Sequence, residues 1–146
     1  MNTKYIYKHD KMAYRHVYSK SYLCRYDMFG DAMEDFTRTM SIIGAVQNGN
    51  MFYSIEEVTF EGVALIQIFM PAKEYVDYDD EDTTYSSYFY LDEMLSKIIE
   101  KPEQAEASWA AITMYQESKG EHKKSSFYHE IHTRKNNKPY VLLKTK

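Results

Sequence analysis

Residues 85–100 read YSSYFYLDEMLSKIIE, and the structure assigned to them decides the fold. Tyr85, Tyr88, Phe89 and Tyr90 favour a strand, because aromatic side chains suit a pleated, half-buried surface. Leu91, Met94, Leu95, Ile98 and Ile99 recur instead at helical spacing. A strand running through Tyr85–Glu100 makes this stretch the start of a repeat. A short helix over Leu91–Ile99 is the rival reading, and it would break that repeat.

The repeat is strand, amphipathic helix, hairpin, written twice. Its first copy runs from a strand at Tyr14–Tyr26 through a helix at Phe29–Val46 to a hairpin of Met51–Val58 and Val63–Met70. Its second copy runs from Tyr85–Glu100 through a helix at Gln104–Lys119 to a hairpin of Ser126–Arg134 and Tyr140–Lys144. The two helix centres lie about 75 residues apart, too far for a solenoid period. The expected fold is α+β: a duplicated βαββ, one curved antiparallel sheet with both helices packed on one face. It forms a single domain over 1–146, with pseudo-repeats 12–72 and 84–146 joined by a solvated acidic linker, 73–83.

Local signals support each element. Tyr14, His16 and Tyr18 alternate, and then Tyr22, Cys24 and Tyr26, with a bulge expected near Ser19–Ser21. Asp27 is the expected N-cap of the first helix. Phe29, Ala32, Met33, Phe36, Met40 and Ile43 form its apolar stripe, and Gly44 ends it. Glu61-Gly62 suits a hairpin turn. Val63–Met70 (VALIQIFM) is nearly all apolar and should be a central strand, with Gln67 in a polar pocket or on the wet face. Pro102 opens the second helix, whose inner stripe is Ala105, Trp109, Ile112 and Gln116. Asn136-Asn137 turns the last hairpin.

Composition narrows the function. The 146 residues carry a net charge of −4, which argues against nucleic acid and against an anionic membrane surface. The first fourteen residues lack the apolar core of a signal peptide, and no apolar run reaches membrane-spanning length. Cys24 is the single cysteine, so no internal disulfide forms and the cytoplasm is the expected compartment. No zinc spacing, glycine-rich phosphate loop or nucleophile elbow occurs, so no metal, cofactor or catalytic residue is expected. The acidic cluster of Asp77, Asp79, Asp80, Glu81 and Asp82 lacks the pattern of a calcium loop.

Aromatic residues reach 16%, with 15 Tyr and 7 Phe. Tyr128, Glu130 and His132 share one parity of the strand that starts at Ser126, while Phe127, His129 and Ile131 share the other. A carboxylate between Tyr and His can pair with a cation that also meets aromatic rings. It can also rise in pKa and act as a general base, the third, hydrolytic reading. An edge or solvent-facing row is the alternative.

The element order resembles the GyrI-like effector-binding fold, a small-molecule module. The local matches are Tyr22-Leu23-Cys24-Arg25-Tyr26 leading through Gly30 into the first helix, and Tyr128-His129-Glu130-Ile131-His132. The resemblance implies that Glu130 contacts a cationic ligand. With parity it selects Tyr53, Phe69, Tyr88, Trp109, Tyr128 and Glu130 as the lining of an aromatic cleft for a small hydrophobic or cationic ligand, with no enzymatic activity. The overall look is also similar to uncharacterised Firmicute proteins encoded beside LXG-type secreted toxins. That resemblance implies a protein partner, with the chain as an accessory, chaperone or immunity protein.

Overall fold

A computed structural model describes residues 5–146. The fold is α+β, with six strands and two helices: β1 (Tyr7–Arg25), α1 (Phe29–Ile43), β2 (Phe52–Val58), β3 (Val63–Pro71), β4 (Thr83–Ile99), α2 (Ala105–Ser118), β5 (Tyr128–Thr133) and β6 (Pro139–Thr145). Every strand pairing is antiparallel. Residues 85–99 are strand throughout, so the short helix does not form. Leu91, Met94, Leu95 and Ile98 have helical spacing, yet β4 is committed to pairing: Leu95 through Ile99 lie opposite Thr145 through Val141. Tertiary pairing overrides local periodicity there.

The repeat is regular. Tyr7 and Thr83, Phe29 and Ala105, Phe52 and Tyr128, and Val63 and Pro139 open matching elements, each pair 76 residues apart. The chain divides into two compact units, a first of Ala13–Tyr90 and a second of Met1–Met12 with Leu91–Lys146. The division falls within β1 and β4, and residues 73–83 lie inside the first unit.

In the first unit β3 lies between β1 and β2, as its apolar run requires. Tyr18, Ile66, Ile68 and Met70 meet Ala32, Phe36 and Met40 of α1 in the core. Each large side chain buried there contributes about 1.5–3 kcal/mol. Gly44 closes α1 in the left-handed conformation, with φ of 82° and its N–H bonded to the Met40 and Ser41 carbonyls. Gly49 allows a close approach: an added Cβ would stand 3.0 Å from the Pro71 ring. The bulge is not at Ser19–Ser21, where the register with β3 is continuous from Val17 to Arg25; His16, just before it, has a left-handed φ of 56°. Asp27 does not cap α1. Its carboxylate accepts from the Arg25 guanidinium at 3.1 and 3.2 Å, and a short turn, Tyr26–Met28, precedes the helix. Asp80 anchors the acidic stretch, accepting from the Asp82 N–H and the Thr83 hydroxyl and lying 3.6 Å from Lys20.

In the second unit β6 lies between β4 and β5. Ile99 and Leu143 meet Ile112 of α2, with Trp109 and Phe127 against them. The Gln104 side chain accepts from the Glu100 and Lys101 N–H groups, and Pro102 opens the turn that leads into α2. Among the described residues no helix is long and apolar enough to cross a membrane.

Candidate functional site

In each unit one sheet face carries the helix, and the other holds the candidate chemistry. Register fixes the rows on this helix-free face. In the first unit Ser19 lies beside Phe69 and Phe69 beside Phe52, while Ser21, Gln67 and Ser54 form the next row. In the second unit Ser96, Lys144 and Tyr128 form one row, and Ile98, Leu142 and Glu130 the next. The rows correspond by pairing partner, starting from Phe52 and Tyr128, which open matching strands, and their contents differ.

The first unit fills its rows with rings. Phe52 stacks on Phe69 at 4.6 Å between centroids and on Tyr14 at 5.4 Å, and Phe89 packs on both phenylalanines. The second unit places a buried ion cluster there. Glu130 is 3% exposed and Lys144 5%. Lys144 Nζ lies 3.2 Å from Glu130 Oε1, and His132 Nε2 donates to the same oxygen at 2.6 Å. Lys144 Nζ also donates to the Lys11 carbonyl at 2.9 Å and lies 3.5 Å from Asp10. Tyr140 stacks on His132 at 5.1 Å. Ser96 is fully buried, and its hydroxyl is without a hydrogen-bond partner among the described residues. Two charges so deep are tolerated because each meets the other and further polar groups.

The six residues selected from sequence divide accordingly. Tyr128 and Glu130 lie together on the helix-free face of the second unit. Burial of Glu130 excludes the solvent-facing row. Phe69 lies on the helix-free face of the first unit, inside the phenylalanine stack. Tyr88 is half exposed and stacks on Tyr90. Two of the six are on the helix side. Tyr53 pairs with Ile68 and packs on Phe29 at 4.6 Å, where burial pushes its hydroxyl pKa up. Trp109 sits on α2 and donates from Nε1 to His129 Nε2 at 3.0 Å. His129 and Glu130 are neighbours on β5 and point to opposite faces, so Trp109 is not beside Glu130.

Sequence reasoning missed Lys144 and Ser96. Lys144 shares the parity of Tyr140 and Leu142, and the Asn136-Asn137 turn would have placed it beside Tyr128. Nothing local signals the contributions of Asp10 and Lys11, more than a hundred residues away.

A family model, a domain of unknown function (DUF5085), matches residues 13–146. No curated protein matches in sequence. Among solved structures the chain is similar to EcmrR, seen by cryo-EM in an EcmrR–DNA complex in EcmrR-RPo. The TM-score is 0.74 at 7% identity, over 96% of this chain and 56% of that one. This likeness supports a GyrI-like fold. The chain thus spans little more than half of the structure it matches.

Proposed function

The chain belongs to the DUF5085 family, and we propose that it is a non-enzymatic binding module for a small hydrophobic cation, received at Glu130. The observation that supports this reading is the buried carboxylate of Glu130, held by Lys144 and His132 on the helix-free face. The likeness in fold to EcmrR supports the same class of module. In this reading Lys144 is an internal stand-in for the ligand. The ammonium satisfies the carboxylate when nothing is bound, and a ligand cation takes its place. Tyr128 lines the same face, and the unpartnered Ser96 hydroxyl can turn to a ligand's polar end. A ligand of this kind gains from ring contact as well as charge.

Thermal denaturation with tetraphenylphosphonium tests this, with the neutral triphenylphosphine oxide as control. The phosphonium raises the melting temperature in a dose-dependent way, the oxide does so less, and Glu130→Gln abolishes the difference. Absence of any shift, or a shift indifferent to Glu130→Gln, would overturn the reading.

A protein-interaction role is the second reading, as an accessory, chaperone or immunity protein of a bacterial secreted toxin. It is favoured by exposed apolar residues: Leu23 lies beside Leu65 on β1 and β3, and Phe60 is fully exposed at the β2–β3 turn. Co-purification of a neighbouring gene's product, lost on Leu23→Ser with Phe60→Ser, would establish it. An unaccompanied chain from the native host would count against it.

A further inference from the structure

The second unit holds a pocket of about 440 Å³ on its helix-bearing side, away from Glu130. Lys8, Lys119, Lys124, His122, Tyr115 and Gln116 line it. The chain is acidic overall, yet this pocket is cationic. Of its charged groups, His9 pairs with Glu93 at 2.6 Å and Lys146 with Asp92 at 2.9 Å. Lys8, Lys119 and Lys124 have no acidic partner among the described residues; the acids of the lining are Glu121 and Glu93, the latter paired with His9. Lys8 and Lys119 hold their ammonium groups 5.5 and 5.8 Å from the centre of the Tyr115 ring. Contact with Tyr115 also pushes the pKa of Lys8 up, keeping it charged.

The lining also holds a polar side chain from the inner face of α2: Gln116 is 4% exposed and borders the pocket. The equivalent position in α1 is Met40, a core residue. The position equivalent to Lys119 is Ile43, which packs on the same core. Where the first unit is filled with apolar side chains, the second has an open pocket bordered by an amide and by lysines without acidic partners among the described residues. Clustered like charges around an open pocket favour an anionic occupant.

We propose that this pocket binds a soluble organic phosphate carrying at least two negative charges. The lysines neutralise the phosphates, and the Gln116 amide donates to a phosphate oxygen. His122 adds a donor at the rim. The volume suits a nucleotide-sized molecule.

Isothermal titration of the full chain at low salt tests this with two soluble probes, ADP and inorganic pyrophosphate, and sedimentation with phosphatidic acid vesicles tests the lipid source. ADP binding is expected, with pyrophosphate equal or weaker. Lys8→Ala with Lys119→Ala should weaken it about tenfold or more, and Gln116→Met about fivefold. Gln116→Met should leave the melting temperature equal or higher, which separates lost binding from lost folding. Raising salt should weaken binding steadily. The proposal is overturned if neither soluble probe binds at millimolar concentration, if the lysine variants bind as well as the parent, or if only the vesicles bind. Glu130→Gln should not alter ADP binding, so this result stands apart from the phosphonium assay.

Discussion

The two units are built from the same element order, matching elements opening 76 residues apart, yet the rows that correspond by strand pairing differ in charge. Phe52, Phe69 and Ser19 line the helix-free face of the first unit, where Tyr128, Lys144 and Ser96 line that of the second. Ser54 corresponds to Glu130. On the helices Phe36 corresponds to Ile112, Met40 to Gln116 and Ile43 to Lys119. The first unit is thus packed with rings and thioethers, and the second has exchanged part of its packing for buried polar groups. Burial of such groups costs stability relative to apolar residues of the same shape. Duplication lets one copy supply packing while the other carries the polar chemistry, and both proposed sites lie in the second.

This contrast can be broken at its strongest point first. Phe36 is fully buried, and Phe36→Ala should cost about 3–5 kcal/mol in a urea titration. A loss below about 1 kcal/mol would mean that the first unit is not the packed one. Lys144→Met comes next. It leaves the buried Glu130 without its ammonium and should cost about 3 kcal/mol, whereas the double change Glu130→Leu with Lys144→Met should return to parental stability or exceed it. A double variant as unstable as the single one would refute the ion-cluster account.

Gln116→Met makes the second helix resemble the first at that position. It should raise stability by about 1 kcal/mol, because a largely buried amide is replaced by an apolar side chain of similar size. A clear loss of stability would mean that the amide is satisfied in the folded protein.

The smallest effect is in acid. The Tyr22 hydroxyl, bonded to Asp35 at 2.6 Å, holds that carboxyl below its ordinary value of 3.8, and the Asp82 N–H holds Asp80 below the same value. A carboxyl depressed by folding contributes stability that is fully present above 3.8 and is lost as pH falls through its lower folded value. Stability of the parent should therefore decline as pH falls below about 4, and less so in Asp35→Asn, measured by urea titration across pH. Equal slopes would remove Asp35 from the account.

The fold was largely legible in sequence because its signals are local. The apolar stripe of α1, the run Val63–Met70 and the turn at Gly62 each declare themselves within a few residues. Residues 91–99 were ambiguous because their apolar positions also fit helical spacing, and the β6 partner that commits them to a strand lies more than forty residues on. Asp27 failed because its carboxylate pairs with the nearby Arg25 guanidinium in place of the helix N–H groups, and the expected bulge failed because the β3 register runs on unbroken past Ser19–Ser21. At the site, parity placed Tyr128, Glu130 and His132 on one face. It could not reveal Lys144, whose role depends on hairpin register, nor Asp10 and Lys11, which arrive from the far end of the chain. Tyr53 and Trp109 were chosen as aromatic lining and turn out to pack against helices, since aromatic content alone does not say which face of a sheet a ring covers.

The account turns on Lys144 as an internal stand-in for a ligand cation at Glu130. Its most direct test is the affinity of tetraphenylphosphonium for Lys144→Met relative to the parent, measured by isothermal titration. Removing the internal competitor should tighten binding about tenfold or more, since the buried carboxylate has lost its ammonium and a ligand cation can take that place. Equal or weaker binding by a folded Lys144→Met chain would contradict it.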